Sequence, residues 1–250
     1  MSFAGRHVLI SGGGSGVGAA IALAFAGAGA QVTITGRREA PLRDMADGHD
    51  RIDWATCDVT DTEAVRAMVA DVARKHGAPG IVVANAGAAD SKPFHKMNAE
   101  DLDVMLAVNL GGVFNLWHAA LPGMQGKGRL IAIASTAALK GYPYVSGYVA
   151  AKHAVLGLTR ALALEMARSG VTVNAVCPGF TETPLLERSI ETIMQSTGRS
   201  REDAQEALYK GNPQQRFVQP EEVANAVLWL AGDGSSSVTG QAISVSGGET

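Results

Sequence analysis

Hydrophobic positions along this chain come in two spacings that take turns. Short, nearly continuous apolar runs occupy residues 7–10, 31–35, 51–57, 80–84, 128–134, 171–177 and 241–245. Such runs are short for helices and lack the strict alternation of a sheet with one wet face, so they read as strands buried on both sides. Between them, apolar residues recur every three or four positions: through the alanine-rich segment ending near Gly29, over 61–76 and 98–121, along Ala154, Leu158, Ala161, Leu162 and Met166, and over 220–230. Buried strands alternating with amphipathic helices predict an α/β fold, a doubly wound parallel sheet of about seven strands with helices on both faces. No linker, repeat or low-complexity tract interrupts the pattern, so residues 1–250 are expected to form a single domain.

One stretch, residues 184–216, leaves the alternation. Leu185, Leu186, Ile190, Ile193 and Met194 have helical spacing, and Ser200 to Asp203 reads as a cap before Ala204, Ala207 and Leu208. A long insertion at a strand's carboxyl end reads as a lid over a substrate. A helical pair buried in a subunit contact is the alternative.

Polar residues and glycines gather where the apolar runs stop, at the strand ends where ligands of parallel sheets collect. The first run breaks at Ser11-Gly12-Gly13-Gly14-Ser15-Gly16-Val17-Gly18, followed by a helical segment. That order makes the fold Rossmann-like and the loop a pyrophosphate site, where glycines admit the phosphates and helix N–H groups face them. The fingerprint G-x-G-x-x-G fits in its alanine form at Gly14, Gly16 and Ala19, while Gly12, Gly16 and Gly18 give a second spacing. At the end of the second run, Arg37 and Arg38 stand where an acidic residue would bind the ribose of NAD. The guanidinium of Arg37 could hold a 2′-phosphate, which favours NADP(H) with NAD(H) possible; solvated surface charges are the alternative. Asp58-Val59 and Asn85-Ala86-Gly87 end the third and fourth runs, with Asp58 placed to accept from an adenine amino group. Asn109, within a helical pattern, is a poor helix former that calls for either a partner or a surface position.

The chemistry centres on Ser146-Gly147-Tyr148-Val149-Ala150-Ala151-Lys152, preceded by Ser135 at the end of the fifth run. On a helix, Tyr148 and Lys152 share a face one turn apart. A free phenol ionises near pH ~10, and an opposite charge within ~4–6 Å lowers that by roughly 1–3 units; a second cation, such as an oxidised nicotinamide ring, is expected to bring Tyr148 close to working pH as proton donor and acceptor. Tyr142 and Tyr144 have Ser146 and Tyr148, not lysine, one turn on.

Composition narrows the partners. A formal charge of -3 with 46% hydrophobic and 18% charged residues gives no electrostatic reason for nucleic acid or an anionic membrane. Cys57 and Cys177 are too few for a disulfide framework, the six histidines show no ligand spacing, and no metal is expected. The longest apolar run, residues 17–30, is short of a membrane span, and no signal peptide is read, so the cytoplasm follows by default.

Taken together, Ser11-Gly12 with Gly16 and Gly18, Asp58, Asn85-Ala86-Gly87, Asn109, Ser135, Tyr148 with Lys152, and Pro178-Gly179 followed by Thr183 resemble the short-chain dehydrogenase/reductase family over nearly the whole chain. The resemblance implies that Ser135 polarises a substrate carbonyl, that Tyr148 is general acid in reduction and base in oxidation, and that Lys152 lowers the pKa of Tyr148 while binding the nicotinamide ribose. It implies that Asn109 holds a water of a proton relay, and that Pro178, Gly179, Thr181 and Thr183 meet the nicotinamide end. Residues 176–184 and 216–220 look like 3-oxoacyl-thioester reductases and polyketide ketoreductases, and the start of the lid is similar to 3-hydroxybutyrate dehydrogenases. The expected substrate is a small ketone or secondary alcohol, including a CoA or carrier-protein thioester; an NAD-linked dehydrogenase of a free hydroxy acid or cyclic alcohol and a non-enzymatic NAD(P) sensor are the alternatives. A homotetramer is implied, although Ser246 stands where many members have aspartate near a subunit contact, and Ser11 replaces the more usual threonine while keeping its hydroxyl.

Overall fold

In the structure, a computed structural model that describes residues 1–124 and 126–250, each apolar run forms a strand. These are β1 (His7–Ser11), β2 (Gln31–Gly36), β3 (Ile52–Thr56), β4 (Ile81–Ala84), β5 (Arg129–Ile133), β6 (Thr172–Pro178) and β7 (Ala242–Val245). They pair in parallel in the order β3-β2-β1-β4-β5-β6-β7. The winding reverses between β1 and β4, which opens a crevice at their carboxyl ends.

Side chains of successive strand residues point to opposite faces, and the two cores follow from that. Val8 and Ile10 of β1 pack with Ile21 and Phe25 of α1 (Gly16–Gly27), Leu42 of α2 (Glu39–Ala46) and Val223 and Val227 of α9 (Pro220–Ala231). Leu9, between them, faces the other layer, with Val65 and Val69 of α3 (Thr62–His76), Leu116 and Trp117 of α5 (Gly112–Ala120) and Val155 of α6 (Ser146–Glu165). The helix α2 was not foreseen in the apolar pattern. Leu42 is its one buried residue, too little to mark a period.

The helix expected over 98–121 is interrupted. It runs as α4 (Ala99–Leu106), a π-helical turn (Ala107–Gly111) and α5, starting from a capping box between Asn98 and Asp101. The wider turn points Asn109 inward, where it is wholly buried; the surface reading of Asn109 is therefore wrong. Residues Ala99–Gly123 are apolar and long enough to cross a membrane, but here α4 packs on α6, and α5 on α3 and β4.

The expected lid contains α7 (Pro184–Thr197) and α8 (Arg201–Tyr209). Thr183 caps the first, accepting from Leu186 N, and Ser200 caps the second, accepting from Asp203 N at 3.1 Å. A small core of its own, Leu186, Ile190, Ala204 and Phe217, holds the pair together. A parallel bridge between Thr181 and Val218 pinches the base, so the excursion leaves and rejoins the sheet at one place. Arg216 forks both carboxylate oxygens of Glu222 at 2.7 Å just beyond it.

Candidate active site

The loop after β1 is shaped by contacts that only glycine permits. Gly12 takes φ +68°, and a Cβ there would lie 2.9 Å from Ala86 Cα; a Cβ on Gly18 would come within 2.2 Å of Gly12 O. The second glycine spacing, with Gly12 and Gly18, therefore carries the steric demand, and Gly14 sits over Pro41 of α2. Asn85 ties the loop from β4: its Nδ2 donates to Ser11 O at 3.0 Å and Gly12 O at 3.1 Å. The Ser11 hydroxyl accepts from Asn85 N at 3.1 Å and Ala86 N at 3.0 Å, so serine does here what a threonine hydroxyl would do.

Helix α1 begins beside Ser15 with no side-chain cap and no acidic residue in its first turn. The orphan N–H groups around Gly16, Val17 and Gly18 are thus left for an anion. Gly16 also abuts Thr183, whose methyl would be 3.1 Å from a Cβ there, so the segment after β6 closes against the phosphate loop. These residues fit a dinucleotide.

Arg37 and Arg38 are exposed at the end of β2, and no ion pair holds either among the described residues. Asp58, at the end of β3, accepts from Thr60 N at 2.9 Å and Thr60 Oγ1 at 2.8 Å; these bonds, with a contribution from nearby Arg37, hold its carboxyl below the usual range. Val59 is buried against Gly112 of α5.

Ser135, two residues past β5, opens a tight turn, its hydroxyl accepting from Ala137 N at 3.1 Å. Tyr148, in the first turn of α6, and Lys152, one turn on and 4% exposed, converge with it. Lys152 Nζ donates to Ile133 O at 2.9 Å and lies 5.6 Å from the centre of the Tyr148 ring. Burial pushes the Tyr148 phenol above its ordinary value, the Ser135 hydroxyl pulls it back, and Cys177 adds to the rise. Burial likewise lowers the Lys152 ammonium to about 8. The expected lowering by lysine alone is therefore not what these groups give: the ammonium donates to a carbonyl, and desolvation outweighs its attraction for the phenol.

Asn109 completes this corner. Its Nδ2 donates to Ala88 O at 2.9 Å and Met105 O at 3.0 Å, and its Oδ1 accepts from Ala88 N at 3.3 Å. A Cβ on Gly87 would sit 2.9 Å from that oxygen and 3.6 Å from Lys152 Nζ. Pro178 ends β6, Gly179 follows it, and Thr181 Oγ1 turns back to donate to Gly179 O at 2.9 Å.

Sequence reasoning passed over a cluster beside Thr136, the residue after Ser135. Tyr142 Oη lies 2.7 Å from Thr136 Oγ1 and donates to Glu249 Oε1 at 2.6 Å, and its ring meets Phe180 edge-on at 6.0 Å. Lys140 Nζ reaches the same Glu249 oxygen at 2.8 Å. The one sequence signal was Tyr142 itself, set aside for want of a lysine one turn on.

A family model described as enoyl-(acyl carrier protein) reductase matches residues 12–250. A D-beta-hydroxybutyrate dehydrogenase of Rhizobium meliloti is 41% identical over 196 residues, covering 77% of this chain and 76% of its own. A ketoacyl reductase, so named provisionally, of Streptomyces coelicolor is 38% identical over 230 residues, 87% of each chain. Among solved structures, a variant of actinorhodin polyketide ketoreductase with NADPH superposes with a TM-score of 0.94 at 35% identity, covering 100% of this chain and 99% of its own. Levodione reductase gives 0.93 at 32% identity, with 99% and 98% covered.

Proposed function

The chain belongs to the short-chain dehydrogenase/reductase family and is an NAD(P)-dependent oxidoreductase of ketones and secondary alcohols; we propose that its preferred reaction is the NADPH-linked reduction of a 3-oxoacyl thioester or similar ketone. The observation that carries this reading is the convergence of Ser135, Tyr148 and Lys152 at the carboxyl end of β5, beside the phosphate loop.

The dinucleotide would be held by the loop from Ser11 to Gly18, by Asp58 and Val59 at its adenine end, by Asn85, Ala86 and Gly87, and by Pro178, Gly179, Thr181 and Thr183 at its nicotinamide end. Arg37, with Arg38 beside it, would take a 2′-phosphate, which is the basis for preferring NADPH. When bound, the nicotinamide supplies hydride to the substrate carbon in reduction and accepts it in oxidation.

The protein's part is to bind and to move the proton. Ser135 Oγ–H and Tyr148 Oη–H donate to the carbonyl oxygen, and Tyr148 passes its proton to that oxygen as negative charge develops there. A phenol held above its ordinary pKa is fully protonated at neutral pH, which suits the acid of a reduction. Lys152 sits behind the ring to steady the phenolate that results. Both Asn109 Nδ2 hydrogens are taken by carbonyls, whereas Oδ1 accepts only from Ala88 N, so a relay water there would donate to the remaining lone pair of Oδ1. Residues 184–216 would cover the substrate as a lid, and the same reading gives a cytoplasmic enzyme, in keeping with two buried free cysteines, and a homotetramer.

Steady-state assays of the purified protein with NADPH and NADH against an acetoacetyl thioester, acetoacetate and cyclic ketones test this. Fastest turnover of the thioester with NADPH is expected. A tenfold preference for NADH would overturn the cofactor reading, and absence of turnover with every ketone would leave a nucleotide-binding protein.

A further inference from the structure

Glu249 brings a carboxylate to Lys140 and Tyr142, one contact away from the residue that follows Ser135. Its side chain is 4% exposed and lies within 2.8 Å of Lys140 Nζ, while Tyr142 Oη donates to it at 2.6 Å. Three elements around the reacting centre enclose it. Thr136, which touches Tyr142, follows Ser135 directly. A Cβ on Gly179, directly after β6, would lie 3.4 Å from Glu249 Oε2, and one on Gly211, just past α8, would lie 3.0 Å from Oε1. The Tyr142 ring also packs on Phe180, and Lys140 Nζ stands 5.0 Å above that ring.

The segment beyond β7 is built to deliver this group. Gly247 and Gly248 take φ +65° and +93°, conformations that turn the chain back inward. Thr250 then bonds through Oγ1 to Ser244 Oγ at 2.7 Å and through its N–H to Ser246 Oγ at 3.3 Å, fixing the residues around Glu249. A buried carboxylate is tolerated only when paired and hydrogen-bonded, and Lys140 and Tyr142 supply both.

A substrate carboxylate near the reacting carbonyl would seek the cation and hydroxyl of this cluster, and Glu249 already occupies them. Given the reading of Ser135 and Tyr148 as the reacting site, we infer that Glu249 is a specificity-determining residue. By filling the anion position on Lys140 and Tyr142, it admits neutral ketones and thioesters and turns away free 3-oxo acids. Like charges brought to one cation repel, and that repulsion discriminates more sharply than lost packing.

The test is the ratio of kcat/KM for acetoacetate to that for its ethyl ester, measured in the wild type, Glu249→Gln, Lys140→Met and the double variant. In Glu249→Gln the ratio should rise tenfold or more, chiefly through a lower KM for acetoacetate. Adding Lys140→Met should remove the gain, and Lys140→Met alone should depress the ratio below wild type. A purely structural clip would lower both substrates together and leave the ratio unchanged, which would overturn the inference. Should Glu249→Gln fold poorly, the direction of the Lys140→Met ratio decides alone: a fall supports the inference and no change overturns it. A wild type that turns over neither compound would instead count against the catalytic reading.

Discussion

Tyr148 and Lys152 stand in a relation that their spacing alone does not describe. The phenol is raised by burial and the ammonium is lowered to about 8, so each favours its neutral form more than in water. Two outcomes follow at this scale. Tyr148→Phe should lower kcat by about 10²–10⁴-fold, as loss of a general acid does, with NADPH affinity nearly unchanged by fluorescence titration. Lys152 also imposes a pH-dependent burden on folding. Below pH 8 the buried ammonium destabilises in full; between 8 and 10.5 the unfolded chain binds more protons, so stability rises with pH; above 10.5 the penalty is gone. Denaturant unfolding should therefore show wild type gaining roughly 3 kcal/mol relative to Lys152→Met between pH 7 and pH 10.5. The Tyr148–Lys152 pair proposed as catalytic was readable in the sequence because helical geometry ties neighbours four apart. Glu249 and Tyr142, 107 positions apart, were not, because no local rule joins them.

At the scale of elements, α1 shows how one helix carries both a sterically required and a neutral glycine. Gly18 packs against backbone of the loop it faces, whereas a Cβ on Gly27 would meet nothing within 4 Å. Gly18→Ala should destabilise by about 1–3 kcal/mol through overpacking and weaken NADPH binding with it. Gly27→Ala should stabilise by about 0.5–1 kcal/mol, since it only restricts the unfolded chain. Thermal unfolding of the two variants with and without NADPH checks both signs. The π turn at Asn109 belongs to this scale as well: apolar spacing predicted one continuous helix, and the inserted widening follows from burying an asparagine among Ala88 and Met105 carbonyls.

For the whole molecule, the reversal of winding between β1 and β4 brings the glycine loop, Asp58 and Asn85 to one crevice. NADPH at a hundredfold excess over its Kd should stabilise the fold by about 2.7 kcal/mol, a rise in Tm of about 5–10 °C for a domain of this size. Arg37→Ala should reduce that rise for NADPH more than for NADH, since a charge-assisted hydrogen bond to phosphate contributes about 1.5–3 kcal/mol. An equal loss for both would assign Arg37 to the surface.

By itself the sequence determined the seven strands, their parallel pairing, the helical pair within residues 184–216 and the linear order of the proposed site, because apolar periodicity and glycine placement act over a few residues. It determined Tyr148 and Lys152 for the same reason. Only the tertiary structure decided which glycine spacing bears the close contacts, where the Lys152 ammonium is aimed, and that a distant glutamate pairs with Lys140 and Tyr142. Those depend on groups brought together by the crossing of elements, and the desolvation and pairing they suffer there leave no trace in local pattern.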